Sequence, residues 1–248
     1  MGTSSRRGKV KKRTVAIIQA RMGSSRFPGK MMALLAGRPL LEWVLRRVTR
    51  SARLDETVLA TTSCTRDDPL VELAGKFGVR VFRGEENDVL GRFAAAADVA
   101  GAESVVRVCA DNPFIDPGEI DRLIDFFDDN RCDYACNHLD RLASGYADGF
   151  GAEILAADLL RQVAANSTEA KHREHVTLYL WDHAGEYRLK AVPAPSVLAY
   201  PALRFDVDVP ADLAGLEQLA AAGIDMETSA EKIVQLALFQ KAQQEKAR

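Results

Sequence analysis

Apolar and polar positions along this chain follow two rhythms that take turns. Val15-Ala16-Ile17-Ile18 is an unbroken apolar run of the kind that fills a buried strand of a parallel sheet. Helical apolar spacing then runs from Leu34 to Val48. Pro39 opens that helix at a tolerated position, and Leu40, Leu41, Val44, Leu45 and Val48 form its buried face. The alternation repeats. Thr57 to Thr61 reads as a second strand, and Asp68 as the cap of a helix with Pro69 at its first position. Val79 to Phe82 is a short third strand, and Asn87 to Ala100 a helix with an alanine-rich face. Ser104 to Cys109 is a fourth strand. Asp116, Pro117 and Glu119 make a helix start similar to a capping box, and that helix runs to about Asp129. Strands alternating with helices predict an α/β fold, a doubly wound and mostly parallel sheet.

The rhythm loosens after Asn130. Cys132 to Asn137 reads as a strand and Leu142 to Gly151 as a loop. Ala156 to Asn166 and Thr168 to His183 read as helices, and Tyr187 to Val192 and Leu203 to Val209 as strands. Pro210 opens a helix carrying Leu213, Leu216 and Leu219, and a last amphipathic helix starts near Ser229. No break in composition divides 14–248, so the expectation is one domain with a smaller irregular insertion over 130–200. Residues 1–13 are polar and basic and read as a disordered tail.

Charge changes this picture little. Thirty-three basic residues against 35 acidic ones leave no bulk field for nucleic acid. No apolar run is long enough to span a bilayer, and the first residues carry no apolar export core, so a cytoplasmic protein with reduced thiols is expected. Cys132, Cys136 and His138 have loose spacing and no evident fourth ligand, which disfavours a zinc site.

The chemistry concentrates in Gln19-Ala20-Arg21-Met22-Gly23-Ser24-Ser25-Arg26-Phe27-Pro28-Gly29-Lys30. This stretch leaves the carboxyl end of the first strand, where open α/β sheets bind ligands. Two glycines permit close backbone approach, and Arg21, Arg26 and Lys30 supply cations suited to a polyphosphate. It is not a P-loop, because Gly23 and Gly29 enclose five residues where that motif has four, and Met31 follows the lysine. Asp111 lies just past the fourth strand, and Asp206 and Asp208 close a later one. A magnesium–triphosphate site needs one or two carboxylates, and carboxylates from two strand ends meeting near the first loop would meet that need. In Asp206-Val207-Asp208 the two acids share one face of a strand.

These residues carry a resemblance. The run from Ile17 to Met32 resembles the opening of the CTP-dependent cytidylyltransferases. It is nearest to the branch of spore-coat polysaccharide cytidylyltransferase-like proteins, and a looser match to the acylneuraminate and CMP-Kdo synthetases. The resemblance covers about 14–220 and implies a Rossmann-like, GT-A-like nucleotidyltransferase fold, with CTP as donor, Mg2+ as cofactor, a small anionic acceptor and a homodimer. It implies that Ala20, Arg21, Gly23, Ser24, Arg26 and Lys30 bind nucleotide. Arg21 and Lys30 act in catalysis by holding the triphosphate, assisted by backbone N–H groups near Gly23 and Ser24. Asp111 and Asp208 would hold the metal, with Asp206 as an additional candidate, while Asp212 caps or packs. Asp88 and Arg92, in the segment from Arg83 to Phe93, are further nucleotide candidates. Arg173 and His175, in the segment from His172, are acceptor or dimer candidates.

Residues 138–170 match no acceptor signature of the acid-sugar synthetases. The acceptor therefore stays open between a phosphonate, such as phosphonoformate, and a 2-keto acid sugar. Two other functions stay open as well. Asp206-Val207-Asp208 fits the D-x-D pattern of nucleotide-sugar glycosyltransferases, and a protein that binds nucleotide without turnover would use a similar loop.

Overall fold

The computed structural model describes residues 12–138 and 141–246. The chain runs β1 (Thr14–Gln19), a small hairpin β2 (Leu34–Leu35) and β3 (Arg38–Pro39), α1 (Leu40–Val48), β4 (Glu56–Thr62), α2 (Asp68–Lys76), β5 (Arg80–Gly84), α3 (Val89–Val99), β6 (Ser104–Cys109) and α4 (Pro117–Asp129). It continues with β7 (Tyr134–Cys136), β8 (Glu153–Ala156), α5 (Ala157–Asn166), α6 (Ala170–Glu174), α7 (Leu178–Asp182), β9 (Leu189–Ala191), α8 (Pro210–Ala221) and α9 (Ala230–Lys246). Seven strands form one sheet in the order β5-β4-β1-β6-β8-β7-β9. β5, β4, β1 and β6 are mutually parallel, whereas β8 pairs antiparallel with both β6 and β7.

Strand alternation sorts the core into two layers. Ala16, Ile18, Val106 and Val108 face one apolar cluster with α1, α2 and α4. Val15, Ile17 and Val105 face the other, with α3 and α5. After β1 the chain moves outward to β4 and β5, then returns to β6 on the other side of β1. The carboxyl ends of β1 and β6 therefore flank the point where strand order reverses, the ligand crevice of an open α/β sheet.

Several expectations change. The helix expected to open at Pro39 does so, with Pro39 as N-cap, but the apolar spacing from Leu34 that precedes it belongs to a hairpin: Ala36 and Gly37 both take positive φ in its tight turn, which Trp43 pins by donating to the Leu35 carbonyl at 2.9 Å. Asp68 does not cap α2, since its carboxylate pairs with Arg83. Asp116 does cap α4, but Glu119 turns away to accept from the Tyr146 hydroxyl at 2.6 Å. The helix read over 168–183 is two short helices broken at His175, whose backbone is extended. The segment 203–209 forms only an isolated bridge, Arg204 with Asp148, instead of a strand. β8 is an addition, hidden where an apolar run flows directly into α5. Of the tail expected over 1–13, residues 1–11 lie outside those described. Arg13 is fixed to the domain through Ala100, Glu103 and Glu56. Among the described residues no helix is long and apolar enough to cross a membrane.

Candidate active site

The basic stretch after β1 folds into a loop that bonds to itself. Ser24 and Gly29 both donate backbone N–H to the Met22 carbonyl, and Phe27 N–H donates to the Ser24 hydroxyl. The Ser24 N–H is thus engaged within the loop itself. Gly29 takes φ 73°, which favours glycine, and its turn feeds Lys30 into a short 3-10 helix. A Cβ on Gly23 would meet the Arg66 guanidinium at 2.9 Å, the far end of a half-exposed side chain that can shift aside.

Asp67 anchors the loop. It is fully buried at the end of β4 and accepts from Met22 N–H at 2.8 Å, the Thr62 N–H at 3.2 Å and the Thr61 hydroxyl at 3.1 Å, besides the Thr62 hydroxyl. Burial alone would raise its pKa, but the donors from Thr62, Met22 and Thr61 bring it below the usual carboxylate value.

The segment 205–208 is drawn against the loop after β6. Val207 N–H donates to the Asp111 carbonyl at 2.8 Å, and Phe205 N–H to the Asp148 carbonyl at 3.0 Å. The Phe205 ring packs on Phe150 at 4.8 Å and Phe114 at 6.3 Å. Asp212 accepts from Asp208 and Val209 N–H groups at 2.8 Å each, capping α8 and fixing the backbone of Asp208.

Lys30 joins the two acidic segments. It is 8% exposed, and its Nζ donates to the Val207 carbonyl at 2.6 Å and lies 3.4 Å from Asp111 and 3.8 Å from Asp208. Arg26 reaches Asp208 at 3.0 Å, and Arg21 faces Glu174 at 3.9 Å. These groups border a cleft of about 460 Å³, lined also by Gln19, Ala20, Gly23, Ser24, Arg107, Cys109 and His175.

Four of the residues singled out in the sequence do not line this cleft. Asp88 caps α3 by accepting from Gly91 N–H and pairs with Arg173, so each satisfies the other. Arg173 also donates to the Ala164 carbonyl at 2.5 Å. Arg92 is 2% exposed and its Nη1 donates to the Glu85 carbonyl, holding the segment after β5. Asp206 takes both Nε and Nη2 of Arg204, at 3.0 and 2.6 Å. Asp208 lines the cleft and Asp206 does not.

Sequence reasoning missed Arg107 and the buried network behind it. Arg107 stands directly opposite Glu153 in the β6–β8 ladder, and its Nη1 donates to Glu153 Oε2 at 2.5 Å. Glu153 also accepts from the Tyr134 hydroxyl at 2.7 Å and the Thr177 hydroxyl at 3.3 Å. His138 faces Glu153 at 3.7 Å and Asp148 at 3.8 Å. Burial alone would raise the Glu153 pKa, but Arg107 and His138 hold it well below the usual value. Burial would lower the His138 value, but Asp148 and Glu153 raise it. A charged residue in the middle of an apolar strand was the available signal for Arg107; its partner 46 positions away was not visible without β8.

The sequence profile of the family described as Cytidylyltransferase matches residues 15–245. The spore coat polysaccharide biosynthesis protein SpsF of Bacillus subtilis is 34% identical over 226 residues, spanning 89% of this chain and 92% of that protein. A 3-deoxy-manno-octulosonate cytidylyltransferase of Geobacter sulfurreducens is 40% identical over 111 residues, 44% of this chain and 43% of that one. Among solved structures, a cytidylyltransferase from Leptospira borgpetersenii superposes with a TM-score of 0.85 at 28% identity, covering 94% of this chain and 96% of that one.

Proposed function

The chain is a member of the cytidylyltransferase family, and from that membership we propose that it transfers CMP from CTP to a small anionic acceptor, a phosphonate such as phosphonoformate or a 2-keto acid sugar, with release of pyrophosphate. The observation that carries this reading is the position of Lys30, whose Nζ lies 3.4 Å from Asp111 and 3.8 Å from Asp208 in a cleft that also holds Arg21 and Arg26. A triphosphate and an anionic acceptor repel each other, and a site that joins them must first cancel that charge. In the reaction an acceptor oxygen bonds to the α-phosphorus as the bond to the bridging oxygen breaks, and the electron pair leaves with pyrophosphate. Arg21 and Lys30 hold the triphosphate and offset the charge that builds on the leaving group. Ala20, Gly23, Ser24 and Arg26 border the nucleotide, and His175 lies on the acceptor side.

The cleft's donor set fits magnesium. Asp111 and Asp208 offer hard carboxylate oxygens from two segments. Magnesium takes one or two carboxylates and completes its shell with water and phosphate oxygens. Bound to Asp111 and Asp208, it would supply charge neutralisation on the phosphate oxygens. With Asp206 committed to Arg204, the D-x-D pattern of glycosyltransferases lacks one of its two acids at the cleft.

Two acceptor classes suit the site for different reasons. A relative of this chain is named for acting on 3-deoxy-manno-octulosonate, a 2-keto acid sugar. A phosphonate oxygen is already anionic at neutral pH and needs positioning instead of a general base. A homodimer through residues 130–200 belongs to the same reading, and light scattering tests it. The central test is pyrophosphate release with CTP, ATP, GTP or UTP and magnesium against a panel of phosphonates and 2-keto acid sugars. CTP-selective release that requires one acceptor is expected. Failure of the wild-type protein to bind CTP would overturn the proposal.

A further inference from the structure

We propose that Arg107, assisted by Gln19, selects the acceptor by taking its carboxylate. This deepens the transfer reading above and rests on it. The guanidinium has two faces for hydrogen bonding, and the structure fills one. Nη1 goes to Glu153, a carboxylate already occupied by Tyr134 and Thr177 and therefore locked in place. The other edge, formed by Nε and Nη2, is the fork that receives a carboxylate side-on. Two arginines elsewhere in this molecule use that edge so. Arg188 donates from Nε and Nη2 to Asp133 at 3.0 and 2.8 Å, and Arg204 from the same pair to Asp206 at 3.0 and 2.6 Å. In Arg107 the Nε is buried with no hydrogen-bond partner, and Nη2 has only a long contact of 3.4 Å to the Gln19 amide oxygen. An unfilled buried donor costs free energy that a ligand oxygen would recover.

The place of this edge suits an acceptor better than a nucleotide. Arg107 and Gln19 lie at the β1–β6 end of the cleft, on adjacent strands and two rungs apart, Arg107 opposite Ile17 and Gln19 opposite Cys109. The loop cations Arg26 and Lys30 are gathered at the other acidic segment, on Asp208 and Asp111. Arg26 and Lys30 are already engaged by carboxylates of the cleft, whereas the Nε–Nη2 edge of Arg107 faces no acid, so a cleft of about 460 Å³ offers a carboxylate-bearing acceptor a cationic edge apart from the loop cations. Gln19 must turn its amide oxygen away as the carboxylate arrives, and its amide nitrogen then faces the ligand.

The test uses Arg107→Lys, which keeps a positive charge opposite Glu153 but loses the fork, and Gln19→Ala as an independent second variant. Binding is read by calorimetry on full-length protein loaded with a non-hydrolysable CTP analogue. The probes are phosphonoformate against methylphosphonate, and 3-deoxy-manno-octulosonate against its methyl ester. Wild type is expected to favour one carboxylate probe over its carboxylate-free partner by roughly 10- to 100-fold, the range for a charge-assisted bond. Arg107→Lys should lose most of that preference, and Gln19→Ala part of it, while both hold the CTP analogue within about threefold of wild type. Equal preference in wild type and a folded Arg107→Lys overturns the inference, as does wild type that holds the CTP analogue but binds none of the probes or does not discriminate between them. Loss of CTP-analogue binding in wild type itself would instead remove the transfer reading beneath it.

Discussion

The buried carboxylate of Asp67 accepts a hydrogen bond from the backbone N–H of Met22 at 2.8 Å, tying the loop after β1 to the end of β4. The loop that carries Arg21, Arg26 and Lys30 is therefore set by a residue that does not line the cleft. Asp67→Ala leaves the Met22 and Thr62 N–H groups without their acceptor, at a cost of roughly 1–3 kcal/mol for each donor left buried. Asp67→Asn keeps one accepting oxygen and costs less. Urea denaturation should rank the three proteins in that order. CTP affinity should fall in parallel, since the loop loses its anchor. Unchanged CTP affinity in a folded Asp67→Ala protein would contradict the anchoring role.

Lys30 does two things at once. It neutralises Asp111 and Asp208 where they approach, and it holds the Val207 carbonyl. Lys30→Ala should reduce turnover by about 10²–10³, the usual loss for one preorganised electrostatic contact. Lys30→Met restores the packing but neither the ion pairs nor the bond to Val207, so it should recover part of the stability that Lys30→Ala loses and none of the turnover. Steady-state pyrophosphate release beside a thermal melt separates the two effects; a Lys30→Met protein with wild-type turnover would remove Lys30 from the mechanism.

The two late aspartates should part company. Asp208 lies by Lys30 and Arg26 in the cleft, while Asp206 is clamped by Arg204. Asp208→Asn should raise the magnesium concentration needed for half-maximal activity and lower turnover by about 10² or more. Asp206→Asn should leave both within about threefold, because it exchanges only an ion pair whose arginine is largely exposed. Magnesium titrations of the two variants provide the check, and matching behaviour would show that Asp206 also reaches the metal.

These contrasts mark what was legible in the sequence. The loop from Gln19 to Lys30 could be read because its cations and glycines are contiguous and follow a recognisable strand. Asp111 and Asp208 could be read because each ends a short segment with its own pattern. The strand expected over 203–209 did not form, because aromatic packing of Phe205 and two backbone bonds hold that segment as irregular chain, and Asp206 pairs there with Arg204, a partner that alternation could not show. Asp88 and Arg173 were each read as ligand residues. They spend their charges on one another across 85 positions, a pairing only the packing of α6 against α3 reveals. Arg107 escaped notice for the same reason: its meaning depends on Glu153, and β8 carries no turn signal that separates it from α5.

The network behind Arg107 makes a prediction about pH. His138 is held between Asp148 and Glu153, and despite its burial those carboxylates raise its pKa above the ordinary value. A raised folded-state value means that the imidazolium stabilises the fold fully below the unfolded value of about 6.5. That contribution is lost as pH rises through the folded value. Glu153 works in the opposite direction. Its value is depressed, so its contribution is present above the ordinary carboxylate range and fades only as pH falls below about 4.5. Between those limits the wild-type protein should be most stable on the acidic side of neutrality. His138→Gln removes the charge and keeps a polar side chain of similar reach. The gap in melting temperature between wild type and His138→Gln should be widest near pH 6 and narrow steadily toward about pH 9. Melting curves at a series of pH values and fixed ionic strength decide it. A gap that stays constant across that range would mean His138 is held neutral, and the pair of carboxylates facing it would then have to be balanced by Arg107 and Arg204 alone.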